Sequence, residues 1–165
     1  MTAKEHYQHH LAHFYEWMAG DFETKQKEQQ NYFEDSGIKP LSGGLALDLG
    51  AGHGLQSVSL ARIGFRVKAG DFNTILLDSL RRNGNGLEIE ITEADLLNER
   101  NFAQPAELVV CMGDTIAHLK SEEEIAVLLK RSFDGLEEKG KLILSFRDYG
   151  TELVDEERFI PRKVG

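Results

Sequence analysis

The stretch LALDLGAGHG, from Leu45 to Gly54, decides the fold class of this 165-residue chain. LALDL is a short and almost wholly apolar run, which predicts a strand buried on both faces, as strands of parallel sheets are. The glycines that follow, Gly50, Gly52 and Gly54, let the backbone turn sharply and approach a ligand without a Cβ in the way. A helix predicted to begin at Leu55 would point its free N–H groups at such a ligand.

Strands and helices alternate along the rest of the chain. The further strands are predicted at FRVKAGD, LEIEIT, AELVVCMG and KLILSF, with helical patterns between them. The last of these helices begins with a capping box, Ser121 to Glu124, and Gly140 is predicted to end it. Such alternation implies right-handed crossovers and an α/β fold, an open doubly wound and mostly parallel sheet of about five strands. Residues 1–40 are predicted to be a helical N-terminal lid, and residues 41–165 the core of the same single domain.

Composition excludes several classes of partner. The chain carries 28 acidic and 19 basic side chains, a formal net charge of −9, which argues against a nucleic-acid partner bound through its phosphates. No apolar run approaches the roughly 18 residues that a membrane-spanning helix needs, so no membrane partner is predicted. Cys111 is the single cysteine, so an internal disulfide is excluded and a reducing cytoplasm is favoured. No metal site is predicted.

Acidic residues accompany the ends of the first three strands. Asp48 lies at the end of the first strand, Asp71 at the end of the second, and Asp95 closes the third. Ligands of open α/β sheets bind at this edge, where the carboxyl ends of the strands meet. A carboxylate at position 71 can accept both hydroxyls of an adenosine ribose, and Asp95 is placed to meet the adenine edge.

The glycine loop differs from the dinucleotide-binding pattern in two respects. That pattern requires its third glycine at position 55, where Leu55 stands, and Asp48 would be unfavourable beside a pyrophosphate. Both differences favour a ligand with positive charge near the loop. The sulfonium and ammonium groups of S-adenosylmethionine meet this requirement.

Five segments in order carry a resemblance to a known family. LDLGAGHG, GDFN, EADLL, VVCMGDTIAHL and KLILSFRDY resemble the successive motifs of class I S-adenosylmethionine-dependent methyltransferases, nearest the glycine N-methyltransferase group. The resemblance runs from about Tyr15 to Tyr149. It implies a Rossmann-like fold, S-adenosylmethionine as cofactor, and methyl transfer to a small-molecule acceptor, with an amine carrying a carboxylate as the candidate.

The expected site residues follow from these matched segments. The residues expected at the cofactor are Tyr15, Trp17, Asp48, Gly50, Ala51, Gly52, Asp71, Phe72, Asp95, Leu96, Met112, Gly113 and Asp114. Arg147 and Tyr149 are expected at the acceptor, because the planar guanidinium of Arg147 matches a carboxylate bidentately. No catalytic side chain is obligatory, since the cofactor supplies its own leaving group. His118 and Asp114 are the candidate bases for the proton of an acceptor amine.

Alternatives stay open at this stage. The three strand-end acids and Asp114 also suit ordinary caps and turns, and Arg147 suits a surface ion pair. The chain as a whole also fits a non-catalytic S-adenosylmethionine-binding remnant or regulatory subunit, or an NAD-type oxidoreductase. The family's last helix and antiparallel strand pair have no match before Gly165, so a truncated chain is expected. The fifth strand would then expose an edge, which favours a homodimer.

Overall fold

The computed structural model describes residues 20–148 and residue 150. Tyr15, Trp17 and Tyr149, three of the predicted site residues, lie outside the described residues, as do residues 1–19 of the predicted lid. The described elements are α1 (Phe22–Asp35), β1 (Leu45–Leu49), α2 (Leu55–Arg62), β2 (Arg66–Asp71), α3 (Thr74–Asn83), β3 (Ile89–Glu93), β4 (Ala106–Cys111), α4 (Glu122–Gly135) and β5 (Leu136–Leu144). Two short 3-10 helices, Glu99–Phe102 and Thr115–His118, flank β4.

The five described strands form one parallel sheet in the order β3-β2-β1-β4-β5. The chain winds from β1 outward through β2 and β3, then returns to place β4 and β5 on the other side of β1. The strand order therefore reverses between β1 and β4, and the carboxyl ends of β1, β2 and β4 border one crevice. The predicted open, doubly wound α/β sheet is confirmed.

Side chains of β1 alternate between two apolar layers, and all five of its residues are buried. Ala46 faces a layer that includes Phe33 of α1 and apolar residues of α2 and α3. Leu45, Leu47 and Leu49 face the opposite layer, which includes Leu128 of α4. Burial on both faces explains why the strand reads as a continuous apolar run.

Helix α1 lies in the described part of the predicted lid segment and packs against α2. Gln26 is fully buried, and its Nε2 donates a hydrogen bond to Ser59 Oγ at 3.2 Å. Arg62 also donates to the Gln26 side chain from α2. At the start of α1, Phe22 meets the ring of His53 edge to face, with centroids 5.2 Å apart. The N-terminal end of α1 therefore lies beside the glycine loop.

The prediction that Gly140 ends the last helix is wrong. Helix α4 ends at Gly135, and β5 begins at once with Leu136. Gly140 instead belongs to a bulge, because the register shifts from Ala106↔Leu136 to Leu108↔Lys141. A Cβ at Gly140 would lie 3.1 Å from Ala106 O and 2.9 Å from Glu137 O, so the close backbone approach in this bulge requires glycine.

Candidate functional site

The glycine loop is tied to the neighbouring strand by its backbone. Gly50 N and Ala51 N both donate to Gly70 O, at 2.8 and 3.0 Å, and Gly52 N donates to Asp71 Oδ2 at 2.9 Å. Gly52 has φ +55°, and no atom lies within 4 Å of the position that its Cβ would take. The loop therefore leaves open space at Gly52, directly beside the carboxylate of Asp71.

Asp71 is held as an acceptor at the end of β2. Its Oδ1 accepts the backbone N–H of Asn73 at 2.8 Å, and the residue is 8% exposed. Burial raises the pKa of the Asp71 carboxyl, while backbone N–H groups and the positive field of His118 act in the opposite direction. Each carboxylate oxygen retains a second lone pair, so Asp71 can accept ligand hydroxyls without releasing the loop.

Asp48 lies beneath the loop instead of in the crevice. It is 1% exposed, and Ser57 Oγ donates to its Oδ2 at 2.6 Å. Burial, together with the negative charge of Asp71, raises the pKa of Asp48 to about 7, although the Ser57 hydrogen bond opposes this. Asp48 is therefore placed to act on a ligand at the loop through its electric field. Its carboxyl is only partly ionised at neutral pH.

The segments after β4 and β5 are joined across the same edge of the sheet. Gly113 N donates to Ser145 Oγ at 3.0 Å, and Ser145 N donates to Cys111 O at 3.2 Å. Asp114 has a left-handed backbone, with φ 68°. Met112 O accepts a hydrogen bond from Thr115 Oγ1 at 2.7 Å. The predicted cofactor residues Met112, Gly113 and Asp114 are therefore held together in one fixed turn.

Arg147 is paired with Asp114. Asp114 Oδ1 accepts the backbone N–H of Arg147 at 2.6 Å, and Asp114 Oδ2 lies 3.0 Å from Arg147 Nε. The arginine side chain is 63% exposed and that of Asp114 is 24% exposed. The structure thus brings together two residues that the sequence analysis assigned to different ligands.

Phe72, Asp95 and Leu96, three of the predicted cofactor residues, follow the ends of β2 and β3. Phe72 and Leu96 are half-buried. Asp95 is exposed and lies two residues beyond the end of β3, so it does not close that strand. Its Oδ1 accepts the N–H of Leu97 at 3.1 Å, the turn contact that the sequence analysis kept as an alternative. His118, the other predicted base, is exposed at the end of its 3-10 helix, within electrostatic range of Asp71.

Sequence analysis missed Asn73 as a site-forming residue. Asn73 Oδ1 accepts the N–H groups of Ile75 and Leu76, at 3.0 and 3.2 Å, and so caps α3. Its Nδ2 is buried without a hydrogen-bond partner, two residues beyond Asp71. The signal was available, because Asn directly before a helical run is a typical N-cap. Ser57 and Ser145 carried no comparable signal, because their partners are distant in the sequence.

Cys111 and possible metal ligands were the other candidate groups among the described residues. Cys111 is fully buried in β4, and burial, with the negative charge of Asp48, raises the pKa of its thiol to about 12. Within residues 20–148 and 150, no group of three His, Cys, Asp or Glu side chains is placed to hold a metal ion. In that same part of the chain, no helix is long and apolar enough to cross a membrane.

Comparison with known proteins decides the family. A family model described as a methyltransferase domain matches residues 46–140, from β1 into β5. The chain belongs to this family. The predicted resemblance to class I S-adenosylmethionine-dependent methyltransferases is thereby confirmed.

Individual relatives cover different shares of the chain. It is 27% identical over 133 residues to a glycine/sarcosine N-methyltransferase of Halorhodospira halochloris, a match that covers 78% of the chain and 49% of that protein. It is 31% identical over 113 residues to a cypemycin N-terminal methyltransferase of Streptomyces sp, a match that covers 68% of the chain and 46% of that protein. The chain thus spans about half the length of these curated relatives.

A solved structure shows the same fold. The chain superposes on the magnesium protoporphyrin IX methyltransferase of Synechocystis PCC 6803, solved with bound SAM, with a TM-score of 0.68 and 18% sequence identity. The match covers 92% of this chain and 77% of that protein. The comparisons give no support to the two alternative functions, the non-catalytic remnant and the NAD-type oxidoreductase. The roles of individual site residues, a homodimer and a cytoplasmic location stay predictions.

Proposed function

We propose that this domain binds S-adenosylmethionine at the carboxyl ends of β1, β2 and β4 and transfers its methyl group to a small amine that carries a carboxylate. The observation that carries this proposal is the open glycine loop at Gly52, hydrogen-bonded to the acceptor carboxylate of Asp71. The relative from Halorhodospira halochloris supports the acceptor class, because glycine and sarcosine are both small amines with one carboxylate.

The residues at this edge fit the parts of the cofactor. Asp71 would accept the two ribose hydroxyls through its remaining lone pairs. The adenine would lie toward Phe72, Asp95 and Leu96. A Cβ at either Gly52 or Gly113 would have no atom within 4 Å, so both turns leave room for a ligand against the backbone. Gly50, Ala51, Met112 and Asp114 would border the methionine part, and Tyr15 and Trp17 stay proposed cofactor contacts outside the described residues.

The chain's contribution to methyl transfer is mainly to hold and orient the acceptor. When bound, the cofactor supplies an activated methyl group on a good sulfide leaving group. The protein must then hold the acceptor nitrogen about 3 Å from the methyl carbon, in line with the bond that breaks. The amine must be neutral to react. His118 is the proposed side chain for accepting its proton, because both carboxylate oxygens of Asp114, the other candidate, lie against Arg147. Arg147, with Tyr149, would hold the carboxylate of the amine.

Calorimetric titration tests the cofactor assignment. We expect micromolar binding of S-adenosylhomocysteine and no binding of NAD. Asp71→Ala should weaken the binding of S-adenosylhomocysteine by about 1–3 kcal/mol, because charge-assisted hydrogen bonds are lost. Glu93→Ala is the matched control, because Glu93 is an exposed carboxylate at the end of β3, directly in register with Asp71. Radiolabelled methyl transfer to glycine and sarcosine then tests the acceptor class.

Two results would contradict the proposal at different points. Absence of S-adenosylhomocysteine binding by the folded wild-type protein would refute the cofactor assignment. Equal effects of Asp71→Ala and Glu93→Ala would refute the ribose role of Asp71 while leaving the cofactor itself in place.

A further inference from the structure

We propose that Asp114 is a positioning residue for Arg147, and that it thereby selects acceptors with a single carboxylate. This inference rests on the proposed function, and it adds to that function what makes the acceptor subsite specific. It is carried by one juxtaposition, in which both oxygens of the Asp114 carboxylate are used on the backbone and the side chain of the same arginine.

The two contacts fix Arg147 at two points. Asp114 Oδ1 accepts the backbone N–H at 2.6 Å, which sets where the arginine side chain starts. Asp114 Oδ2 lies 3.0 Å from Nε, an ion pair that keeps the guanidinium beside the acid. A long side chain that is 63% exposed would otherwise sample many rotamers, and ordering it would weaken the binding of an acceptor. The contacts with Asp114 order the Arg147 side chain before the acceptor binds, so this ordering does not weaken acceptor binding.

The support for Asp114 itself comes from the adjoining turn. Ser145 Oγ accepts the N–H of Gly113, and Ser145 O accepts the N–H of Asp114 at 3.4 Å. Asp114 keeps a left-handed backbone, which is unfavourable for a residue with a Cβ and persists only where its surroundings hold it. The acid is thus held by Ser145, which belongs to the segment after β5 that also carries Arg147.

The pairing leaves one edge of the guanidinium for the acceptor. With Nε engaged by Asp114, the outer edge formed by the two terminal nitrogens can still match a carboxylate bidentately. The charge of Asp114 offsets that of Arg147, so recognition depends on this geometry more than on net attraction. A second carboxylate on the acceptor would be repelled by Asp114. The pair therefore favours an amine with one carboxylate, such as glycine or sarcosine, over an amide or a dicarboxylate.

Steady-state kinetics of Asp114→Asn with glycine and glycinamide tests this role. The Asn oxygen can still accept the backbone N–H of Arg147, but its neutral amide carries no charge to pair with the guanidinium, so only the side chain of Arg147 is released. We expect the KM for glycine to rise about tenfold or more, with kcat and the KM for glycinamide changed by less than about twofold. Binding of S-adenosylhomocysteine is measured in parallel, so that any effect on the cofactor is separated from the effect on the acceptor. Asp78→Asn is the control, because it breaks an exposed ion pair with Arg81 on α3, away from the site.

A double-variant cycle shows whether Asp114 acts through Arg147. Arg147→Lys alone should raise the KM for glycine, and adding Asp114→Asn to it should cause little further change. Additive effects would overturn the proposal. So would an unchanged or lower KM for glycine in Asp114→Asn, or equal increases for glycine and glycinamide. A fall in kcat with KM unchanged would assign Asp114 as a base instead.

The proposal can fail separately from the proposed function. Wild-type protein that binds S-adenosylhomocysteine but methylates neither glycine nor sarcosine would overturn the role of Asp114 and Arg147 and leave the cofactor assignment standing. Wild-type protein that fails to bind S-adenosylhomocysteine would overturn both.

Discussion

Replacing Asp48 with Asn is expected to stabilise the protein above neutral pH and to leave its stability unchanged in acid. Burial and the charge of Asp71 raise the pKa of Asp48 from its ordinary value of 3.8 to about 7. Between these two values the folded state holds more protons than the unfolded state, so Asp48 opposes folding increasingly as the pH rises. At roughly 1.4 kcal/mol for each pH unit, the full cost above pH 7 is about 4 kcal/mol. Asn carries no charge and avoids this cost.

Urea unfolding of the ligand-free protein from pH 4 to pH 8.5 measures the effect. The free energy of unfolding of Asp48→Asn, minus that of the wild type, should increase with pH through this window and level off above about pH 7. The Ser57 hydroxyl favours the charged form of Asp48, so Ser57→Ala should shift to higher pH the point at which this free-energy difference levels off. A difference that does not vary with pH would refute the assignment of Asp48 as a buried group titrating near neutrality.

Substitutions at three further positions probe how the fold is held. Glu107→Gln should cost about 1–2 kcal/mol at pH 7 in urea unfolding, because the Glu107 carboxylate accepts the N–H groups of the loop before β1. Partial burial acts to raise the pKa of Glu107, but those N–H groups lower it below its usual value. The difference in unfolding free energy between Glu107→Gln and the wild type should therefore disappear as the pH falls through that lowered pKa. Asn73→Ala should lower stability by about 1 kcal/mol through loss of the α3 cap, whereas Asn73→Asp should retain it; equal losses would exclude the capping role. Gly54→Ala should lower the thermal midpoint, because its Cβ would overlap Leu80 and its φ is +97°, with an expected loss of about 1–3 kcal/mol; an unchanged midpoint would refute this close packing.

Local signals explain why the centre of the fold was predictable. The apolar run of β1 and the glycines after it both act within ten residues of Leu45, and the structure places strand, loop and α2 there as expected. Gly140 was misread because glycine suits a helix end and a bulge equally well. What distinguishes them is Ala106 O on the neighbouring strand, 3.1 Å from where a Cβ would lie. That neighbour is set by the strand order, which no local pattern contains.

The same limit applies to the acids of the candidate site. Asp48 and Asp71 both lie near the carboxyl ends of adjacent strands, and both were predicted to contact the ligand. Their environments differ, because the side chain of Asp48 points beneath the loop toward Ser57 while that of Asp71 meets the loop at Gly52. The register of the two strands decides this, since Asp48 is paired with Ala69 and Asp71 lies two residues further along β2 on the same face.

The bulge in β5 connects the misread glycine to the acceptor subsite. Asp114 and Arg147 are 33 residues apart, and they meet only because β4 and β5 are neighbours in a register that pairs Cys111 with Leu144. The register shift around Gly140 adjusts β5 along β4 before that pairing begins. A slip of one residue would reverse the faces of β5 and move Arg147 away from Asp114 by one strand position. The identity of the residue at position 140 therefore bears on the proposed recognition of the acceptor through backbone geometry, although Gly140 lies in the middle of β5 and away from the site.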